Sequence, residues 1–263
     1  MDHSSYIAGL AASPEETLLL RRLLDRLDRF RSRSTPETTR FLSPREQALC
    51  RQLLQAEGES AWTLWGGYPG AERQILCFLP DWLPEHWQSQ ADAPLAAVRC
   101  RFPGSSLEHR DLLGALMSAG LKRETLGDIL VEPGQADFVV LREVLPYLLS
   151  QLTRAGRASL HPEELPLSQL TPPPQRLEQR RETVASLRAD CVLAAALNLS
   201  RDKAAGLVRQ GLVRVDSLDL AKPDRPLQAG QTLSVRGHGK FILQEITGPT
   251  RKGRIAILLA KYL

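Results

Sequence analysis

The chain has 263 residues, 43% of them hydrophobic and 24% charged, which is an ordinary composition for a globular protein of two or three small domains. This composition excludes global disorder and a fibrous repeat. No apolar run approaches the roughly 20 residues that cross a bilayer, and no charged-then-apolar leader precedes residue 15. We therefore expect no membrane insertion and a cytoplasmic location, while the oligomeric state stays open.

The sequence carries none of the common signatures of metal or cofactor chemistry. Its four cysteines lie far apart, without a C-x-x-C pair or a histidine at zinc-ligand spacing, so we expect reduced and buried thiols. The patterns of phosphate-binding P-loops, zinc proteases, serine hydrolases and dinucleotide-binding folds do not occur. We predict no catalytic residue, no metal and no organic cofactor.

Charge divides the chain unevenly. Residues 176–263 contain 16 Lys and Arg against 8 Asp and Glu, whereas residues 1–175 contain 18 against 22. A basic region gains affinity for a polyanion because each phosphate contact releases counterions. The C-terminal third is therefore predicted to contact nucleic acid.

The first 72 residues are predicted to be a helical region. Residues 15–33 place leucines on one face, and the arginines between them are interpreted as a solvated flank rather than an RNA-binding arm. Ser43, Pro44 and Glu46 form a capping-box pattern that predicts a helix reaching Gly58. The Gly- and Pro-containing residues 65–73 predict a turn, with a phosphate-cradling loop as the alternative, before a strand at 74–79.

Residues 73–161 are predicted to form a ferredoxin-like plait. The strands are expected at 95–102, 128–131, 137–141 and 157–160, and the helices at 106–119 and 143–153. The resulting βαββαβ order is shared with RNA-recognition modules. RNA binding on the sheet face is doubtful, however, because Phe138 alone offers little stacking surface on the middle strands.

Residues 108–111 read Glu-His-Arg-Asp and are the one cluster that resembles an acid/base set. Consecutive residues of a helix fan apart and cannot converge on one substrate atom. We interpret Glu108 and Asp111 as stabilising the first turn of a helix capped by Ser105 or Ser106. The proline-rich residues 162–175 are then predicted to be a semi-rigid linker.

Residues 176–263 are predicted to contain helices at 187–197 and 200–210, followed by strands at 212–215, 233–236, 241–246 and 255–259. Ser200 can cap the second helix, whose first turn carries Arg201 and Lys203. The helix dipole disfavours cations there by about 0.3–1 kcal/mol. A phosphate bound at that end would reverse the preference, and the alternative is that both side chains point into water beside Asp202.

Further cations lie at the predicted element ends and are expected to join this site in one basic rim: Arg188, Arg209, Arg214, Arg236 and Lys240. His238 lies between two glycines, where it either contacts a base or phosphate or belongs to a plain hairpin turn.

Residues 187–190, 198–205 and 211–215 resemble the S4 RNA-binding domain. Residues 66–73, 106–117 and 122–129 resemble the YlmH group of S4-domain proteins, which in oxygenic phototrophs carries the label photosystem II S4 domain protein. The resemblance implies an α+β chain with a C-terminal S4 domain that binds ribosomal or transfer RNA, in association with the large ribosomal subunit. It places the RNA on the two-helix face, at Arg188, Ser200, Arg201, Lys203, Arg209 and Arg214.

The chain departs from the group at two places. Asp216-Ser217 stands where Asn-Gly is frequent, and we expect Asp216 to weaken the contribution of Arg214; Gly206 replaces a longer polar residue. Two other functions remain open. One is an RNA-modifying enzyme, and the other is a protein-interaction or assembly factor, in photosystem assembly or cell division, that docks through residues 1–175.

Overall fold

The structure is a computed structural model that describes residues 2–84, 86–90, 93–104, 106–172, 174, 176–251 and 253–263. The chain forms two compact units, Met1–Pro173 and Pro174–Leu263. The predicted boundary near residue 175 lies within two residues of this division.

The first unit opens with three helices, α1 (His3–Leu10), α2 (Pro14–Arg33) and α3 (Pro44–Ala56). The predicted amphipathic helix is α2, whose leucine face is buried. Arg26 and Arg29 of α2 both donate to the carboxylate of Glu37 and therefore have a structural role in addition to the predicted solvated flank. The capping box of α3 is present: Ser43 accepts from the Glu46 N–H, and Glu46 accepts from the Ser43 N–H at 2.6 Å.

A small antiparallel sheet follows these helices, formed by β1 (Glu37–Thr38), β2 (Trp62–Trp65) and β3 (Ile75–Phe78) in the order β1-β3-β2. The predicted region boundary at residue 72 is wrong because it separates β2 from β3, which pair directly. Ile75 and Cys77 of β3 also share a hydrophobic cluster with Ala97 and Val139 of the central region. The helical region and the plait therefore share one core.

The central region contains β4 (Leu95–Arg101), α4 (His109–Ser118), β5 (Leu126–Glu132), β6 (Gln135–Leu141), α5 (Leu145–Gln151), the hairpin of β7 (Arg154–Ala155) and β8 (Ala158–Ser159), and β9 (His161–Leu165). Its four-stranded sheet has the order β5-β6-β4-β9, and every neighbouring pair is antiparallel. This is the strand arrangement of the βαββαβ plait.

Several boundaries in this region differ from the sequence prediction. The fourth strand is not 157–160, because residues 158–159 pair within a short hairpin and the edge strand is β9. The predicted linker consequently begins too early, since residues 162–165 belong to the sheet. Pro162 is tolerated because an edge strand has one side without ladder hydrogen bonds. Helix α5 begins two residues late, after a 3₁₀ turn at Arg142–Val144.

The second unit consists of β10 (Leu177–Val184), α6 (Ala189–Leu197), α7 (Arg201–Arg209), β11 (Val213–Val215), β12 (Leu218–Asp219), β13 (Thr232–Val235), β14 (Gly239–Pro249) and β15 (Ile255–Tyr262). The strands form one antiparallel sheet in the order β10-β15-β14-β13-β11-β12. Both helices pack on one face of it, where Val192 and Val208 join Val213 and Leu243 in the core.

Strand β10 was not predicted, because Val184 is its one buried residue and its charged positions give no apolar alternation. The four cysteines are buried free thiols, as expected, and burial raises the pKa of Cys50 to about 12 and that of Cys100 to about 11. None of the helices in the described part of the chain has the length and apolar character needed to span a membrane.

Candidate nucleic-acid interface

A first group of charged residues lies at the ends of α6 and α7 and is named here the helix cluster: Arg188, Asp190 and Arg201 at the amino-terminal ends, and Arg209 at the carboxyl-terminal end of α7. Arg188 is the residue that precedes α6, and Asp190 lies in its first turn. Ser200 caps α7 as predicted, with its hydroxyl accepting from the Lys203 N–H at 3.4 Å. Arg188 before α6 and Arg201 at the start of α7 both reach the carboxylate of Asp190.

Asp190 is the centre of the helix cluster. Its side chain is 5% exposed and accepts hydrogen bonds from Arg188 Nε and Nη2, at 3.3 and 3.2 Å, and from Arg201 Nε at 3.0 Å. Burial by itself raises the pKa of a carboxyl, but the two guanidinium groups outweigh it and hold the pKa of Asp190 below its usual value. An ionised Asp190 therefore fixes two arginines in place.

These arginines line a cleft of about 280 Å³ together with Arg209 and three aspartates, Asp190, Asp202 and Asp224. Guanidinium and carboxylate groups are equal in number, so the net charge of the cleft does not favour a polyanion. The geometry does favour a polyanion, because Asp190 is already bound by Arg188 and Arg201, whose side chains stay 40% and 55% exposed. Among the described contacts, the Nη groups of Arg201 donate to no protein acceptor.

Lys203 shares the first turn of α7 with Arg201 but does not line the cleft. Residues two positions apart in a helix are separated by about 200° around its axis, which turns the Lys203 side chain away from Arg201. The predicted phosphate site of these two residues is thus divided, and only Arg201 faces the cleft.

A second group of cations lies on the sheet and is named here the strand cluster: Arg214, Arg236, Lys240 and Tyr262. Arg214 of β11 and Lys240 of β14 lie on either side of Ser234 of β13 in one cross-strand row. The Lys240 ammonium is 4.9 Å from the centre of the Tyr262 ring, in a cation–π contact. Arg236 is exposed and directly follows β13.

The two clusters lie on opposite faces of the six-stranded sheet, so the prediction of one continuous basic rim is wrong. Alternate residues of a strand point to opposite faces. Val213 and Val215 pack with α6 and α7, and Arg214 between them therefore points away from the helices. The helix cluster and the strand cluster are two surfaces of one unit.

The carboxylate that restrains Arg214 is Asp219 rather than the predicted Asp216. Arg214 Nε donates to Asp219 Oδ1 at 2.9 Å across the β11–β12 pair. Asp216 instead accepts from the Thr232 N–H and from Gln231 Nε2, and it forms the turn with Ser217. Both turn residues have positive φ, 49° and 69°, which explains why Asn-Gly suits this position.

His238 lies in the turn between β13 and β14, and its backbone N–H donates to the Val235 carbonyl at 2.9 Å. The structure thus has the hairpin that was one of the two interpretations of the Gly-His-Gly segment. A contact between its imidazole and a base stays a prediction.

The sheet face of the plait, which RNA-recognition modules use for stacking, is closed. Leu95, Ala97 and Val139 on this face are buried against residues such as Phe41 and Tyr68. Farther along the same face Arg99 donates to both oxygens of Asp137 at 2.8 Å, and Arg101 pairs with Glu163 at 2.6 Å. Phe138 is 1% exposed and packs on the helix side. The sheet face is therefore covered or ion-paired at these positions, which disfavours the stacking of RNA bases that the sequence analysis doubted.

The loop at residues 66–73 is a turn whose backbone N–H groups already bind the side-chain carboxylate of Asp128. Asp128 accepts from the backbone N–H groups of Glu72 and Arg73, at 2.7 and 3.0 Å, and from the Tyr68 hydroxyl at 2.7 Å. Burial, followed by this hydrogen bond, raises the pKa of Tyr68. These amides are occupied by Asp128 and are not available to a phosphate.

Residues 108–111 form a helix start. Glu108, and not Ser106, is the residue that precedes α4, and its N–H donates to Asp111 at 2.9 Å. Ser105, the other predicted cap, lies outside the described residues. Arg110 pairs with Glu108 at 3.2 Å. This arrangement accounts for the cluster without any catalytic role.

These features define a protein of two α+β units, a plait that shares its core with a helical region and a basic unit of two helices on an antiparallel sheet. The chain belongs to the YlmH family, as its sequence motifs predicted. Residues 15–81 match the family model "YlmH, N-terminal", and residues 91–169 match the model "Putative RNA-binding domain in YlmH".

Two relatives support this assignment. The chain is 37% identical over 220 residues to the ribosome-associated protein quality control protein P2 of Bacillus subtilis (strain 168), with 82% of this chain and 83% of the relative covered. It is also similar to the solved structure of the cell division protein YlmH from Streptococcus pneumoniae, with a TM-score of 0.50 and 21% identity. That likeness covers 60% of this chain and 95% of the solved one, and it shows a shared fold.

Proposed function

We propose that the chain is a non-catalytic RNA-binding protein of the ribosome whose second unit is an S4 RNA-binding domain that holds structured RNA. The observation that carries this proposal is the pair of guanidinium groups, Arg188 and Arg201, held on one buried carboxylate at the mouth of a cleft. The name of the Bacillus relative and the description of the family model for residues 91–169 support the ribosome and RNA as partners.

The helix cluster suits phosphate because of the shape of its donors. Guanidinium presents several N–H groups in a planar fork that matches two phosphate oxygens, and a fixed fork loses less entropy on binding. Asp190 supplies that fixation, while Arg209 widens the cationic wall on α7. The backbone N–H groups at the start of α7 add to the attraction for an anion at the same end.

The strand cluster contributes a different kind of attraction. Of its three cations, Arg214 has a carboxylate partner among the described residues, whereas Arg236 and Lys240 have none. A surplus of mobile charge favours any polyanion and weakens as salt rises. We assign ribosomal or transfer RNA on the large subunit as the ligand, with the helix cluster providing the geometry and the strand cluster additional charge.

The absence of catalysis is part of the proposal. Two observations support it: Glu108 and Asp111 are engaged in starting α4, and burial raises the pKa of the Cys50, Cys77 and Cys100 thiols, which disfavours the nucleophilic thiolate. The docking alternative predicts a protein partner that is retained when residues 176–263 are removed. The RNA proposal predicts that binding of structured RNA is strongly weakened in that truncation.

The direct test compares two double variants of the full chain, R188A/R201A and R21A/R22A, by fluorescence anisotropy with labelled tRNA and a labelled ribosomal RNA hairpin. Arg21 and Arg22 are exposed on α2, so the control removes the same charge elsewhere. Each lost charged hydrogen bond costs about 1.5–3 kcal/mol, so we expect R188A/R201A to weaken binding by on the order of a hundredfold. Equal affinities of the two variants would contradict the proposal.

A further inference from the structure

The plait has a groove between α4 and the β7–β8 hairpin that is separate from the sheet face. Its volume is about 610 Å³, within the range of sites that hold a small organic molecule, so it admits a nucleotide-sized segment. The residues that matter here are Asp111, Gly114 and Ser118 from α4 and Arg154 and Arg157 from the hairpin.

The two arginines distinguish this groove from the rest of the plait surface. Arg154 of β7 and Arg157 of the hairpin turn are both exposed, and neither has a carboxylate partner among the described residues. Two other arginines of the plait do have such partners, Asp137 for Arg99 and Glu164 for Arg142. The hairpin therefore presents two uncompensated guanidinium groups to the groove.

One carboxylate also lines the groove, but it is engaged by its own helix. Asp111 accepts from the Glu108 N–H and lies 3.9 Å from Arg110 Nε. The described lining of the groove thus carries two guanidinium groups against one carboxylate, so its net charge is positive.

The wall of α4 is also unusually open. Gly114 lies in the middle of the helix, where glycine is less favourable than alanine. A Cβ built at Gly114 would have no atom within 4 Å, so nothing in this fold requires a glycine at the position. Its effect is to leave room for a chain to approach the helix backbone closely.

We propose that this groove binds a single-stranded stretch of RNA, whose phosphates contact Arg154 and Arg157 while the sugar-phosphate chain passes over Gly114. The inference rests on the proposed function, since it takes RNA as the ligand of this chain. It assigns a surface within residues 91–169, the region that matches the RNA-binding family model, where the sheet face is covered and ion-paired.

The charge test uses the full-length variants R154E/R157E and R21E/R22E with a labelled single-stranded RNA and with labelled tRNA. Both variants change the net charge by the same amount, and thermal unfolding checks that both are folded. We expect R154E/R157E to bind the single-stranded probe at least about tenfold more weakly than the control does. The slope of log affinity against log salt should also flatten by about 1.4 units, at roughly 0.7 per phosphate contact.

A second variant, G114L, fills the groove without changing charge, and G9L in α1 is its matched control because Gly9 likewise has open space above it. Leucine also favours helix more than glycine does, so both variants should fold. We expect G114L to weaken binding of the single-stranded probe at least about fivefold with an unchanged salt slope, and G9L to leave it unaltered.

The outcomes separate this inference from the function on which it rests. If R154E/R157E and G114L bind like their controls while R188A/R201A loses affinity, the groove is not an RNA site and the proposed function stands. If R188A/R201A also binds normally, the proposed function fails. Capture of a peptide by the groove, with RNA binding unchanged in both groove variants, likewise overturns the inference.

Discussion

The helix cluster and the strand cluster belong to the same unit and differ in how their cations are held. In the helix cluster, two guanidinium groups share one buried carboxylate, and the cleft as a whole is balanced in charge. In the strand cluster, Arg214 has Asp219, Lys240 lies over Tyr262, and cations outnumber carboxylates. The guanidinium groups of the helix cluster have fixed orientations in a cleft without excess positive charge. The strand cluster has excess positive charge, and its cations share no common anchoring carboxylate among the described residues.

The difference teaches that the number of cations on a surface does not decide what the surface recognises. Fixed donors select a ligand by shape because their orientation is set before binding. Mobile surplus charge attracts any polyanion and is screened by salt. We therefore expect the helix cluster to provide specific affinity and the strand cluster to provide salt-dependent affinity.

The largest effect on RNA affinity should come from variants that keep the charge of the helix cluster and replace its planar guanidinium groups by ammonium groups. In R188K/R201K the ammonium groups cannot bind Asp190 and a phosphate with the same planar geometry. We expect RNA affinity to fall by about tenfold to a hundredfold while the slope of log affinity against log salt stays unchanged, as measured by anisotropy titrations from low to high salt. A flattened slope with little loss at low salt would assign a purely electrostatic role to this cluster.

The next effect concerns the strand cluster. The triple variant R214A/R236A/K240A removes up to three phosphate contacts, so the salt slope should flatten by about two units and low-salt affinity should fall about tenfold. At high salt its affinity should approach that of the unaltered chain. An equal loss at every salt concentration would show that these residues are also held in a fixed geometry.

A smaller effect concerns stability through Asp190. The pKa of this carboxyl is lowered in the folded state, so its contribution is present above the usual value of 3.8 and is lost as pH falls below it. We expect D190N to lower the free energy of unfolding by about 1–2 kcal/mol at pH 7, a value discounted because both arginines are partly exposed. Urea unfolding should show this difference shrinking at pH 3. A difference independent of pH would mean that the ion pairs do not stabilise the fold.

The smallest effect lies in the turn next to the strand cluster. Ser217 has a φ of 69°, which glycine adopts without strain, and Asp216 must be kept because it accepts two hydrogen bonds. S217G should raise the free energy of unfolding by about 0.5–1 kcal/mol and leave RNA affinity unchanged. Loss of RNA affinity in S217G would indicate that the turn itself contacts the ligand.

Local signals made the helices predictable. Ser43 with Glu46, and Ser200 before α7, are short-range caps whose partners lie three residues away, and both are present. The alternating order of the plait was also readable, because its strands β4 and β6 are almost wholly buried and its helices carry one apolar face.

The parts that sequence reasoning missed depend on pairing between distant segments. Strand β10 has one buried residue and becomes a strand because it pairs with β15 along its whole length. The division of the cations into two clusters follows from the alternation Val213-Arg214-Val215 in β11, which the prediction of one rim did not take into account. The ion pair between Arg201 and Asp190 was not predicted, because the two residues are eleven positions apart in the chain.

The most direct test of the central claim is photo-crosslinking of the full chain to ribosomal RNA and tRNA, followed by identification of the crosslinked peptides. We predict crosslinks in peptides that contain Arg188, Arg201 and Arg209, with a second set around Arg214 and Lys240. Loss of the first set in R188A/R201A, but not in R21A/R22A, would complete the result. Crosslinks confined to residues 1–90, or none in residues 176–263, would contradict the account.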